Sequence, residues 1–135
     1  MLKIVLLIIG LHIFADFTLQ GLFGNLKQKD YWIKLFKEGS TWISYEGLVR
    51  KYGKDYRVAL FCHALYWTLI TFSPIIYFSQ SDWFIISLVC LNTAIHYVTD
   101  DHKANVHTIN LIHDQIIHFT QIALTVTIWL WLFNS

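Results

Sequence analysis

Three pairs of one histidine and one aspartate, each four residues apart, sit inside strongly apolar segments: His12 with Asp16, His96 with Asp100, and Asp114 with His118. On a helix this spacing puts both side chains on one face, so each pair aims a nitrogen and an oxygen at the same spot. Neutral imidazole and carboxylate are the usual ligands of zinc and related divalent ions, and helical bundles build metal sites from such inward pairs. His63, near the start of another apolar stretch, adds a further nitrogen. The candidate metal ligands are therefore His12, Asp16, His63, His96, Asp100, Asp114 and His118. Seven ligands exceed the needs of one tetrahedral ion. They suit a two-metal centre, or one metal, zinc first, with a general base and carboxylates that orient its histidines. Asp16, Asp100 and Asp114 are the candidate catalytic groups, one of them acting as base rather than ligand.

The elements that must position these residues follow from composition. The chain has 135 residues, 56% of them hydrophobic and 17% aromatic, with 14% charged and a mean hydropathy of +0.48. That is too apolar for an ordinary soluble domain of this size. The sequence predicts an all-α, single-domain integral membrane four-helix bundle. Its spans fall at about 2–23, 58–77, 83–102 and 107–133, each near the roughly 20 residues that cross a bilayer. The first resembles a signal peptide in its basic start at Lys3, but His12 and Asp16 interrupt the apolar run and no small-residue cleavage site follows. Between the first and second spans, segment 25–57 interleaves lysines with Tyr31, Trp32, Phe36, Trp42, Tyr45 and Tyr52. It reads as one or two amphipathic helices on the cytoplasmic surface of the bilayer. Cys62 and Cys90 lack any paired or zinc-binding spacing and are expected to pack as small hydrophobes.

Charge distribution sets the orientation. Eight of the ten Lys and Arg residues lie between Lys27 and Arg57, and the net charge is only +1, so nothing in the balance favours nucleic acid. Placing that segment in the cytoplasm puts both termini outside and brings Lys103 to the inner face. All four spans then carry their His and Asp residues in the inner half of the bilayer. Agreement in depth favours one compact site over scattered structural pairs. His102 and His107 fall in a loop, His113 points away from Asp114, and Asn92 reads as a helix-to-helix tie, so none of these joins the set.

Taken in order, HIFADFTLQ (12–20), Lys27, HALYWTL (63–69), HYVTDDHKAN (96–105) and DQIIH (114–118) resemble the successive motifs of the domain-of-unknown-function 3307 family, small bacterial and phage membrane proteins. The likeness covers nearly the whole chain. It adds Gln20, Lys27, Lys103 and Gln115 to the set and implies a bacterial inner membrane. The chain departs from the pattern after Gln20, where Gly21-Leu22-Phe23 stands in place of a frequent Trp, so Lys29 competes with Lys27 for the motif's lysine.

The expected function is a metal-dependent hydrolase at the cytoplasmic side of the bilayer, with Gln20, Lys27, Lys103 and Gln115 binding a lipid-linked or phosphorylated substrate. Lysine beside a metal commonly stabilises charge on a phosphoryl group, although lysines near the interface also snorkel to lipid phosphate. Membrane lipids are the expected partners, and an oligomer is compatible with the sequence. Two rivals use the same residues: a small metal-ion or proton transporter, with ligands strung along a path, and a non-catalytic modulator of a host membrane protein, with the cluster locking the bundle.

Overall fold

The computed structural model describes residues 2–18, 21–39 and 44–133. Among them every regular element is helical. Helix α1 (Leu2–Ile13) runs into a π turn (Phe14–Thr18) that carries Asp16. Short α2 (Gly21–Leu26) begins at Gly21, whose φ of +33° suits a residue without a Cβ. Helices α3 (Lys29–Gly39) and α4 (Tyr45–Tyr52) form the basic segment. Helix α5 (Tyr56–Thr71) stops at Phe72 because Pro74, lacking an N–H, opens α6 (Ser73–Phe78). Helix α7 (Asp82–Asp101) starts where the Ser81 hydroxyl accepts from Phe84 N, and continues into a second π turn (His102–Val106). Helix α8 (Leu111–Phe133) starts where Asn110 Oδ1 accepts from His113 N at 3.0 Å.

These breaks revise the expected spans. Among the described residues two helices are long and apolar enough to cross a membrane, Asp82–Val106 and Leu111–Phe133. The anticipated first span is cut by the π turn and the restart at Gly21, and the second is divided at Phe72. The fourth begins at Leu111 rather than 107, because His107 adopts a left-handed φ of 59° that ends the preceding turn.

Burial is inverted relative to a water-soluble bundle. Leu6, Leu7, Val58, Leu91, Val98, Ile112, Ile116 and Leu124 face outward, whereas His12, Asp16, Lys27, His63, His96, Asp100, Asp114 and His118 are buried. An apolar cluster that includes Ile8, Ala15, Trp67, Phe72, Ile75, Ile122, Val126 and Trp129 packs inside the bundle and adjoins the polar cluster through Trp67. Asn92 ties α7 to α8, accepting from Gln121 Nε2 at 2.8 Å and Thr125 Oγ1 at 3.1 Å, as its position in the sequence implied. The basic segment folds back on itself. Phe36 stacks on Tyr52 with centroids 3.8 Å apart, while Leu35, Lys34 and Lys37 stay exposed. Cys62 and Cys90 are also exposed, so they do not pack inside the bundle as expected. Trp42 and Ile43 lie outside the described residues.

Candidate metal centre

Helices α5 and α7 bring the first ligand set together. His63 Nε2 lies 3.3 Å from His96 Nε2 and 3.2 Å from Asp100 Oδ2, and His96 Nε2 lies 3.6 Å from the same oxygen. Ligand atoms held about 2.0–2.2 Å from a tetrahedral zinc are separated by roughly 3.3–3.6 Å. The three measured edges therefore match one face of such a tetrahedron. Two imidazole nitrogens facing each other also require a proton or a cation between them, since lone pairs alone repel.

The second set joins the π turn after α1 to the first turns of α8. Ligand-capable atoms of Asp16, Asp114 and His118 lie within 4.8 Å of one another, as do those of His96, Asp100 and His118. His118 belongs to both groups. Asp100 connects them too: its Oδ2 faces His63 and His96, and its Oδ1 lies 3.9 Å from His118 Nε2. His118 Nε2 is also 3.3 Å from Asp114 Oδ1. Asp100 Oδ1, Asp114 Oδ1 and His118 Nε2 are buried without a hydrogen-bond partner. Leaving such atoms unmet costs about 1–3 kcal/mol each, more for a charged group. A divalent ion among them would satisfy all three, so the residues fit a metal.

Two lysines complete the electrostatics. Lys27 Nζ, 5% exposed as a residue, donates to Asp100 Oδ2 at 2.5 Å and lies 3.4 Å from His63 Nε2. Lys103 Nζ donates to Asp114 Oδ2 at 2.5 Å. Lys29, the competing candidate, is exposed. Asn105 holds the Lys27 turn: its Nδ2 donates to Lys27 O and Asp101 Oδ1, and its Oδ1 accepts from Lys29 N. Lys27 and Lys103 also line a cavity of about 270 Å³ with Gly24, Gln28, Ala104 and His107. The three carboxylates and two ammoniums leave one net negative charge while the imidazoles are neutral.

His12 lies beside the cluster, outside the three ligand groups. Its Nδ1 accepts from Trp67 Nε1 at 3.1 Å, and its Nε2 is 3.1 Å from Gln115 Oε1. Gln115 Nε2 in turn donates to Asp16 Oδ2 at 2.6 Å and Asp114 Oδ2 at 3.1 Å. Gln115 thus clamps two carboxylates, a role different from the expected substrate contact. Gln20 lies outside the described residues. His102, His107 and His113 are exposed, His102 against Thr108 and His113 against Asn110.

Trp67 and Asn105 belong to the site although the sequence reading did not single them out. Trp67, fully buried, stacks on His96 with centroids 4.1 Å apart, and His96 stacks on His118 at 4.3 Å. Its position four residues after His63, on the same helix face, was the available signal. Asn105 stands in the same relation to Asp101.

No family model, curated protein or solved structure matches the chain.

Proposed function

We propose that the protein is an integral membrane metal-dependent hydrolase whose centre is built from Asp16, His63, His96, Asp100, Asp114 and His118 and takes one or two divalent ions, zinc first. The observation that carries this reading is the set of buried ligand atoms on Asp100, Asp114 and His118 that face one another without a hydrogen bond, beside tetrahedral edges of 3.2, 3.3 and 3.6 Å. A bound divalent ion would supply Lewis-acid activation of water and of a substrate oxygen. The chain's own groups do the rest. The carboxylate not needed as ligand would accept the proton from attacking water, and Lys103 Nζ, donating to Asp114 Oδ2, holds that side chain in place. Fully buried Trp67 packs against His12 and His96 and shields that side of the site from bulk water.

Charge favours an anionic substrate. One divalent ion turns the site's single negative charge into a single positive one, and a second ion raises it further. A phosphate ester entering the cavity between Lys27 and Lys103 offsets that excess while meeting two ammonium donors. Lipid-linked and soluble phosphorylated substrates share this chemistry. Compact grouping of the ligands, rather than a line of them, favours an enzyme over a transporter. The motif likeness to the domain-of-unknown-function 3307 family is part of the proposal and brings no reaction with it.

Membrane placement rests on two long apolar helices, each only 28% buried over its most apolar window, where a soluble core helix would be mostly buried. With the basic segment cytoplasmic and the α5–α6 stretch also crossing despite its break at Phe72, a reporter fused after Ser135 is exposed on the outer face. A cytoplasmic signal there overturns the inner-leaflet placement of the site.

The activity is tested with detergent-purified protein and phosphomonoester, phosphodiester and amide substrates, in soluble and lipid form, with and without a chelator. We expect phosphoester hydrolysis that the chelator abolishes and zinc restores. Hydrolysis of none of these by protein that retains its metal overturns the hydrolase reading, and metal flux into vesicles would replace it with the transporter.

A further inference from the structure

The hydrogen bonds around His12 fix its protonation pattern without appeal to any bound group. An indole N–H only donates, so the Trp67 contact requires His12 Nδ1 to be an unprotonated acceptor. A carboxylate only accepts, so the Gln115 contacts to Asp16 and Asp114 require the amide NH2 to face them. The Gln115 carbonyl oxygen must then face His12, and it too only accepts. His12 Nε2 therefore carries the proton and donates. Both ends of the relay demand the same tautomer, and no lone pair remains on His12 for a metal.

We propose that His12 is a positioning residue, not a ligand: it passes the direction of the Trp67 N–H through to Gln115, whose amide then holds Asp16 and Asp114 side by side in a geometry suited to one cation. The amide is the neutral group that fits there. It gives a hydrogen to each of two carboxylates 98 residues apart in sequence, between Asp16 and Asp114, and so offsets their repulsion without adding charge. With the histidine in the opposite tautomer, the amide would turn its oxygen toward the carboxylates and drive them apart. Outside hydration is no substitute, since His12 is 0% and Asp114 0% exposed. The three remaining histidines of the set, His63, His96 and His118, are then the nitrogen ligands. The part of this inference that concerns cation geometry rests on the metal-centre reading; the tautomer does not.

The test is nitrogen NMR of the full chain in detergent, labelled with 15N-histidine and titrated with cadmium-113, which binds zinc sites and splits the resonance of any nitrogen it touches. His12 resonances are assigned by their loss in His12→Gln. We expect a proton-free Nδ1 and a protonated Nε2 on His12 before and after cadmium, with splitting confined to His63, His96 and His118. Cadmium splitting at His12, or a proton on its Nδ1, overturns the proposal. Splitting at no histidine sinks the metal-centre reading while the His12 tautomer is still decided by the same spectra. Substitution gives a second readout. Glutamine keeps one acceptor and one donor, so His12→Gln should hold cadmium nearly as well as the natural protein, whereas His12→Ala should weaken it about 10–100-fold, the usual range for a residue behind a ligand. Equal loss in the two variants also overturns the relay.

Discussion

Asp100→Ala is expected to lower the unfolding free energy by roughly 3–5 kcal/mol, the usual cost of stranding one buried charge by removing its partner, and to abolish metal binding. Asp100 is 0% exposed and receives Lys27 Nζ at 2.5 Å, with His63, His96 and His118 all within 3.9 Å of its two oxygens. Removing the carboxylate leaves the Lys27 ammonium buried among imidazoles with no counter-charge. Denaturant or thermal melts in detergent measure the loss. The double replacement Lys27→Met with Asp100→Leu separates folding from function, because a well-packed apolar pair is often as stable as the ion pair it replaces. We expect the double variant to recover most of the stability and none of the metal. Metal retained by the double variant would remove Asp100 from the ligand set, whereas recovered stability with no metal in the natural protein either would mean that the cluster only locks the bundle, as the non-catalytic rival holds.

His118→Ala is the second large effect, and its signature is the opposite one. His118 is shared by two ligand groups and stacks on His96, yet its Nε2 has no hydrogen-bond partner. Its removal takes away a ring contact and a nitrogen that faces two carboxylates without a hydrogen bond, so stability should fall by about 2–4 kcal/mol at most, in the range of a large-to-small core change. Metal affinity should fall by more than the roughly 100-fold that marks the upper end for residues behind the ligands. Isothermal titration with zinc measures it. A loss under 10-fold would remove His118 from the ligand set and leave Asp114 outside the remaining group of Asp16, His63 and His96.

The sequence made the buried His/Asp cluster legible because a spacing of four on a helix fixes a shared face. His96 with Asp100, and Asp114 with His118, meet as their spacing required. The lone His63 needed the charge asymmetry to be placed, and it lands 3.3 Å from His96. Helix continuity was less legible. The wider π turn at Phe14–Thr18 has no residue signature, and it rotates Asp16 relative to His12, so that their spacing of four no longer makes them equivalent. His12 then meets Trp67 and Gln115, while Asp16 meets the clamp. The choice between Lys27 and Lys29 depended on where a turn after α2 points, which is settled by Asn105, 78 residues away from the Lys27 carbonyl it holds. Long-range partners of this kind carry no local pattern.

The central claim, a divalent-ion centre shared by α5, α7, α8 and the π turn after α1, is tested most directly by elemental analysis of protein purified in detergent, without chelators and after zinc supplementation. The account predicts about one to two ions per chain, falling to background in His118→Ala and in the Lys27→Met, Asp100→Leu double variant. Fewer than about 0.2 ions per chain in the natural protein would contradict it.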